Sequence, residues 1–247
     1  MIQPADSASE YLKSVMHHVE GLRRECDAAA PWPLEVLLAS ELGRELKDRL
    51  RTVPIQRRSM QTVDRMFSAT LEIALKSKDV GNLKIEDIAQ TSGVTVQTAY
   101  RYAADRAELF FFYSRRVQAA EYLTLIRYVR NSDIRDAETL VDIIVGFAVH
   151  CFICSSFLPN KHALSLFLKS RHEIAYDMAL HAATIIIEVA HTATERLRSV
   201  SRATATATLI SAITLCKSRL IEDIDALDDP DVIMSIVKTC RAVIERS

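Results

Sequence analysis

The 247-residue sequence predicts an all-α protein, and three features of the chain support this prediction. Residues that interrupt helices are scarce, since there are only 5 glycines and 6 prolines. Apolar residues recur three or four positions apart, which places them on one face of a helix. No stretch bounded by turn residues alternates apolar and polar side chains, as a half-buried strand would. With 49% hydrophobic and 26% charged residues, the composition is that of an ordinary globular protein.

Residues 1–52 are predicted to form two helices, at about residues 7–26 and 34–51. Both carry an apolar face, and a segment with two prolines, residues 30–33, separates them. We interpret residues 1–52 as a helical extension ahead of the motif described below. Three roles for it remain open: packing against the rest of the chain, a second dimer contact, and a brace beside DNA.

Residues 53–59 are predicted to form a short extended arm with two adjacent arginines, Arg57 and Arg58. Such an arm suits contact with phosphate groups or with a minor groove, and a solvated basic loop is the alternative. Ser59 can cap the next helix, which is predicted at about residues 59–76. The apolar face of that helix offers a support for the two short helices that follow.

Residues 83–112, LKIEDIAQTSGVTVQTAYRYAADRAELFFF, predict a short helix, a tight turn, a second short helix and the start of a longer one. In the first helix, Ile85, Ile88 and Ala89 lie at positions i, i+3 and i+4 and form one apolar stripe. A helix of only about two turns is not stable alone, so this helix must pack against its neighbours.

The turn and the second short helix differ in composition from the first. Gly93 can adopt the left-handed conformation that ends a helix sharply, and Thr95 is a natural N-cap for a helix at about residues 95–102. The side chains that follow are small, hydrogen-bonding or cationic: Val96, Gln97, Thr98, Tyr100 and Arg101. Such a face favours a polar partner, and the arrangement is typical of a DNA-binding helix-turn-helix.

The spacing of these residues resembles that of the tetracycline-repressor (TetR) family of transcriptional regulators. The similarity covers residues 56–112. The matching residues are Ile88, Ala89, Gly93, Val94, Thr95, Thr98, Tyr100, Tyr102, Arg106, Leu109 and Phe110. Three residues depart from the family's pattern, because Ala99 stands where the family usually has Leu, and Ala103 and Ala104 replace Phe-Pro.

The resemblance implies a homodimeric regulator, expected to be a ligand-responsive repressor, that binds a palindromic double-stranded DNA operator. Residues 53–112 would form the DNA-binding domain, and residues 113–247 would bind the effector and form the dimer. The helix at residues 95–102 would lie in the major groove. The side chains expected to read bases are Thr95, Val96, Gln97 and Arg101, and those expected to hold phosphates are Lys84, Thr98, Tyr100 and Arg106.

The three alanine departures reduce the packing behind the second short helix. They therefore support an alternative function, a helical adaptor or binding protein whose helix-turn-helix no longer reads DNA. The charge of the chain does not decide between the two. Its net charge is −1, and between residues 57 and 106 eight basic residues stand against six acidic ones. Because this local surplus is small, DNA affinity would depend on the placement of the cations and on dimerisation.

The region after the motif is expected to hold a pocket for a small-molecule effector. A helix from about residue 105 to residue 130 would link the two domains, and a nearly uncharged helix at about residues 137–157 would be buried. Large apolar side chains with a few polar groups are the usual lining of a pocket, and a solid core is the alternative. The expected pocket residues are Phe147, His150, Phe167 and Tyr176.

Two helices, at about residues 201–225 and 230–246, are predicted to end the chain. They carry more apolar surface than the end of one chain needs. By resemblance they would form the dimer interface, as a four-helix bundle with two helices from each subunit. The expected interface residues are Leu209, Ile213, Leu220, Ile233 and Ile236. In the alternative interpretation these helices close the core of the monomer.

The sequence points to no enzyme, metal site or cofactor. No Ser/His/Asp set or glycine-rich phosphate loop is present. The spacings between His172, His181 and His191 are 9 and 10 residues, rather than the 3 or 4 that would place two ligands on one helix face. Cys151 and Cys154 form a CxxC pair within an apolar segment, which favours buried side chains over zinc or redox chemistry.

The sequence also predicts no association with a membrane. No apolar run reaches the roughly 18 residues that can span a bilayer, and the N-terminus lacks the pattern of a signal peptide. We therefore expect a cytoplasmic protein.

Overall fold

The structure is a computed structural model that describes residues 4–29, 33–48, 50–77, 84–153 and 176–245. Every regular element within these residues is helical, which confirms the all-α prediction. Short 3-10 turns at Glu195–Leu197 and Ala226–Asp228 separate the last helices. The α-helices are α1 (Pro4–Ala29), α2 (Leu34–Ala39), α3 (Gly43–Lys47), α4 (Arg57–Ser77), α5 (Ile85–Ser92), α6 (Val96–Tyr102), α7 (Arg106–Arg130), α8 (Ala137–Ile153), α9 (Tyr176–Ala193), α10 (Arg202–Glu222) and α11 (Pro230–Glu245).

The described residues form two compact units. The motif unit contains the described residues between 33 and 120, and the larger unit contains residues 4–29, 121–153 and 176–245. The boundary between the units therefore falls within α7. It also divides the predicted extension of residues 1–52, because α1 belongs to the larger unit whereas α2 and α3 belong to the motif unit.

Helix α1 packs closely against α7 and α8 within the larger unit. Its apolar stripe, which includes Val15, Val19 and Leu22, is fully buried. A Cβ atom on Gly21 would lie only 2.5 Å from the Tyr128 ring of α7, so α1 approaches α7 through a position that has no side chain. Packing against the rest of the chain, one of the three roles proposed for the extension, is thus observed for α1.

A network of polar contacts also joins α1 to the core of the larger unit. The Arg241 guanidinium of α11 lies 4.0 Å from the centre of the Tyr11 ring on α1. The same guanidinium donates to the Asp142 carboxylate of α8 at 3.2 Å and lies 3.7 Å from Glu138. These contacts hold the first, eighth and last helices together around one cation.

The single helix predicted at residues 34–51 is wrong, because the structure has two short helices there. The break lies at Ser40, whose hydroxyl donates to the Leu37 carbonyl at 2.6 Å and accepts the Leu42 N–H at 3.3 Å. A serine that bonds to nearby backbone groups in this way competes with the helical hydrogen bonds. Helix α3 then begins at Gly43.

The predicted extended arm also ends earlier than expected. Helix α4 begins at Arg57, so Arg57 and Arg58 lie in its first turn rather than in an extended segment. Ser59 is not the cap of this helix, because its hydroxyl donates to the Gln56 carbonyl at 2.7 Å from inside the helix. The Gln56 carbonyl also accepts the Met60 N–H at 3.0 Å, as a residue at the start of a helix does.

The last helices form the core of the larger unit with α8, whose side chains from Leu140 to His150 are all buried. A side chain caps each of the last two helices. The Ser201 hydroxyl accepts the Thr204 N–H at 3.1 Å at the start of α10, and Asp229 accepts the Asp231 N–H at 2.9 Å at the start of α11.

Four of the five expected dimer residues are already buried within this core: Leu209, Leu220, Ile233 and Ile236. Only Ile213 is partly exposed. The alternative interpretation, in which α10 and α11 close the core of the monomer, therefore describes these four side chains. No helix in the described parts of the chain is long and apolar enough to cross a membrane.

Candidate nucleic-acid interface

The turn between α5 and α6 has the geometry that the sequence predicts. Gly93 ends α5 with φ 68° and ψ 34°, in the left-handed region that glycine adopts without steric cost. The N–H groups of Gly93 and Val94 donate to the carbonyls of Gln90 and Ala89, at 3.2 and 3.0 Å. These two bonds satisfy the last carbonyls of α5 and redirect the chain within three residues.

Thr95 caps α6, which confirms the predicted N-cap. Its backbone is extended, and its side-chain oxygen accepts the Thr98 N–H at 3.1 Å. The hydroxyl groups of Thr95 and Thr98 lie 2.8 Å apart, so they also bond to each other. At the other end of the helix, the Thr52 hydroxyl donates to the Arg101 carbonyl at 3.0 Å and anchors the last turn of α6.

Helix α6 exposes one face and buries the other. Ala99 and Tyr102 are buried, and Thr98 is partly exposed. The exposed side chains are Thr95, Val96, Gln97, Tyr100 and Arg101. Val96 and Tyr100 are 40% and 43% exposed. The four residues expected to read bases are therefore all among the exposed ones.

The three alanines that depart from the resembled pattern differ in burial, since Ala104 is exposed. Ala99 and Ala103 are both fully buried. After them, the Ala104 N–H donates to the Glu108 carboxylate, and the Asp105 carboxylate accepts the Glu108 N–H at 2.8 Å. These two bonds start α7 just after α6 ends, with small side chains between the two helices.

Four exposed cations lie in α4 or at the start of α5. Arg57, Arg58 and Lys84 were expected here from the sequence, whereas Arg65 was not. A Cβ atom on Gly93 would be 3.9 Å from the Arg65 guanidinium, so Arg65 reaches the turn before α6. None of the four forms an ion pair within the described residues. The side chain of Arg106, the remaining cation expected to contact phosphate, lies outside the described residues.

A cleft of about 790 Å³ opens between the first turns of α4 and the buried side of α6. Its lining residues are Gln56, Arg58, Ser59, Gln61, Thr62, Asp64, Arg65, Thr98 and Tyr102. Arg58, Gln61 and Arg65 share one face of α4, since they are separated by three and four residues. That spacing is the signal by which the sequence could have indicated Gln61 and Arg65.

Asp64 is the only acidic residue in this lining, and its carboxylate is paired with an arginine that is not part of the lining. Its carboxylate lies 2.8 Å from the Arg116 guanidinium and accepts the Leu34 N–H at 3.3 Å. Burial raises the pKa of Asp64, while Arg116 and the Leu34 N–H act in the opposite direction. Arg116 itself lies over the Phe67 ring, 5.7 Å from its centre, which fixes its position.

Tyr100 already has a hydrogen-bond partner at the exposed face of α6. Its hydroxyl donates to the Glu86 carboxylate of α5 at 3.2 Å. The negative charge of Glu86 raises the pKa of Tyr100, because it disfavours a second negative charge nearby. A phosphate group that binds the Tyr100 hydroxyl would therefore have to replace Glu86.

The three expected pocket residues that the structure describes differ in their surroundings. Phe147 and His150 are buried on α8, with the Phe147 ring 5.6 Å from that of Tyr122. Tyr176, by contrast, is 58% exposed and lines an open cleft of about 870 Å³ beside α10. Phe167 lies outside the described residues.

His150 and Cys151 both meet the buried Glu121 carboxylate. The His150 imidazole lies 3.4 Å from it, and the Cys151 thiol donates to the same oxygen at 3.9 Å. Burial, followed by the Glu121 charge, raises the pKa of Cys151, so the thiol stays protonated. The described residues contain no group of three side chains that could hold a metal ion, and Cys154 lies outside them.

Compared with models of protein families, with curated proteins and with solved structures, the chain gives no match.

Proposed function

We propose that the protein is a DNA-binding transcriptional regulator, in which α5 and α6 form a helix-turn-helix and α6 enters the major groove. In this proposal it acts in the cytoplasm, as a homodimer and a ligand-responsive repressor on a palindromic operator. The observation that carries the proposal is the exposed face of α6. Two short helices, joined through the left-handed Gly93, present hydrogen-bonding and cationic side chains to solvent.

The surrounding charges support the same proposal. Arg57, Arg58, Arg65 and Lys84 are exposed, and no carboxylate in the described residues pairs with them. Cations that are not neutralised within the protein can displace counterions from DNA and gain affinity by doing so. In a dimer that neutralises about six to eight phosphates, the slope of log K against log salt would be roughly −5 to −7.

Within α6, the proposed roles follow from position. The first turn, with Thr95, Val96 and Gln97, would reach base edges, and Arg101 would read a base from the next turn. Val96 offers an apolar contact for a thymine methyl group, and the Gln97 amide can bond to an adenine edge. Lys84, Thr98, Tyr100 and Arg106 would contact phosphates, together with Arg57 and Arg58.

The proposal is tested by selecting duplexes from a random DNA pool and measuring affinity with fluorescence anisotropy. Gln97→Ala should weaken binding to the selected duplex by about 1 to 3 kcal/mol and leave binding to random DNA almost unchanged. Gln90→Ala is the matched control, since Gln90 is also exposed but lies on α5. If no duplex is enriched, or if Gln97→Ala weakens both DNAs equally, α6 does not read bases.

The effector response is proposed to act through α7. This single helix has residues in both compact units, with the boundary after Ala120. A ligand that binds the larger unit and favours another placement of α7 would thereby alter the motif unit. To weaken the DNA complex by about 2.7 kcal/mol, the ligand must bind the DNA-incompetent state about 100-fold more tightly.

A helical adaptor is the second candidate function, and one observation favours it. Ile55, Val96 and Tyr100 are exposed apolar side chains of the motif unit, and Ile55 is 85% exposed. Exposed apolar side chains suit a protein partner better than a phosphate backbone. Duplex selection separates the two candidates, because an adaptor would enrich no sequence and would show only weak, unspecific binding.

A further inference from the structure

We propose that the cleft between α4 and α6 binds the phosphodiester backbone of DNA, with Arg58 and Arg65 as its cations. This inference rests on the proposed function and adds Arg65 and Gln61, which neither the motif nor the resemblance assigns, to the phosphate contact expected of Arg58. One strand of the duplex would pass along the cleft while the exposed face of α6 lies in the adjacent groove.

The charge of the cleft favours an anionic ligand. It has two arginines and one carboxylate in its lining. The carboxylate of Asp64 is already neutralised, since the Arg116 guanidinium lies 2.8 Å from it. Arg58 and Arg65 have no such partner among the described residues. The cleft therefore keeps two positive charges that can attract an anion.

The size and the polar lining of the cleft suit a DNA strand. The cleft has a volume of about 790 Å³, more than a single small anion occupies, and it is open to solvent. Gln61 and Thr98 provide neutral hydrogen-bonding groups beside the arginines. Guanidinium and amide groups in this combination are typical of contacts to DNA phosphates.

The spacing of the two arginines allows contact with two phosphates. They are seven positions apart on one helix face, which is about 10 Å along the helix axis. Their side chains can thus contact two different phosphates of one strand. Arg65 also reaches Gly93, so the second contact lies next to the turn that positions α6.

The test measures affinity for a random-sequence duplex at several salt concentrations. Each phosphate contact contributes about 0.9 to the slope of log K against log salt. Arg58→Gln and Arg65→Gln should each reduce the slope by about 0.9 per subunit, or about 1.8 for a dimer. Arg65→Lys should keep most of the slope, because the positive charge is retained.

Arg44→Gln provides the matched control. Arg44 is exposed on α3 of the same unit, and the substitution makes the same change in net charge outside the cleft. It should leave the slope unchanged, and none of the variants should alter thermal unfolding. A slope for Arg65→Gln equal to that of Arg44→Gln would overturn the inference while leaving the proposed function intact.

Two other results would also overturn it. If the wild-type protein binds no duplex at any salt concentration, the proposed function fails and the cleft contact fails with it. Inorganic phosphate, added at constant ionic strength, should not displace the duplex. Displacement that disappears in Arg65→Gln would assign the cleft to a free phosphate ion instead of a DNA strand.

Discussion

Glu86 places a negative charge at the edge of the face that is proposed to meet DNA. Its carboxylate accepts the hydrogen bond of the Tyr100 hydroxyl, and both side chains are exposed. Phosphates are repelled by a carboxylate in this position, and the Tyr100 hydroxyl is not free to contact them. In the wild-type protein, Glu86 is therefore expected to limit the affinity for DNA.

Glu86→Gln should tighten binding to random duplex DNA and lower the pKa of Tyr100 towards its ordinary value of 10.0. The first effect is measured by anisotropy and the second by NMR titration of ring-labelled tyrosine. Asp87→Asn removes the same charge from an exposed neighbour but keeps the hydrogen bond to Tyr100. If both variants shift the Tyr100 titration equally, the contact between Glu86 and Tyr100 does not exist in solution.

Gly93 should be the most sensitive position of the motif to a small substitution. A Cβ atom meets no close neighbour there, since the nearest atom is the Arg65 guanidinium at 3.9 Å. The cost of Gly93→Ala is therefore conformational, about 1 to 2 kcal/mol for a left-handed residue. Gly93→Asn should lose less, because asparagine tolerates this conformation. Urea unfolding compares the two, and equal losses would show that the turn is not left-handed.

Among the helices, the sequence predicts the ends that side chains cap and misses those set by tertiary contacts. Thr95 caps α6 as expected, because the pattern that defines a cap is local. The break at Ser40 was missed because Leu38, Leu42 and Leu46 continue the apolar spacing through it. Periodicity reports a buried face, and here the buried face continues while the helix does not.

The packing of α1 against α7 depends on a histidine that must remain neutral. His18 is buried, and its Nδ1 lies 2.9 Å from the Tyr128 hydroxyl. Burial, and to a lesser extent the neighbouring His17, lowers the pKa of His18 from 6.5 to about 4. Between pH 6.5 and pH 4 the unfolded chain therefore takes up a proton that the folded protein excludes. Acidification through this window should reduce stability.

Through His18, acidification from pH 6.5 to pH 4 should lower the free energy of unfolding by at most about 3 kcal/mol. His18→Gln can keep a hydrogen bond to Tyr128 and should lose less stability over the same window. His17→Gln is the matched control, because His17 is the exposed neighbour on the same helix. Urea unfolding at a series of pH values gives both comparisons. If His18→Gln loses as much stability on acidification as the wild type does, groups other than His18 cause the loss.

For the whole molecule, the sequence predicts the composition of the candidate site better than its extent. The exposed residues of α6 follow from a local pattern, and the structure places them together. The cleft beside α6 was missed because it needs the face of α4 and the buried side of α6 at once. The expected dimer residues show the opposite difficulty. An apolar face predicts burial, but it does not say whether the partner is the same chain or another one.

The dimer, if α10 provides it, must use the side of α10 that remains exposed. Ile221 is 62% exposed there, and it shares this side with Ile210 and several small, uncharged residues. Two copies of α10 related by a two-fold axis would run antiparallel. Arg202 at one end would then approach Glu222 of the second copy at the other end, so the two ends would be complementary in charge.

Ile221→Glu should convert the dimer to a monomer without loss of stability, because its carboxylate stays in water in the monomer but would be buried without a partner in the dimer. Ile236→Glu should instead unfold the larger unit, since Ile236 is buried in the monomer. Sedimentation velocity and urea unfolding distinguish these outcomes. The monomeric variant should bind the full selected duplex no more tightly than it binds a duplex that contains a single half-site. One subunit can contact only one half of a palindrome. A dimer that survives Ile221→Glu would place the interface away from α10, and a monomeric wild type would remove the homodimer from the proposed function.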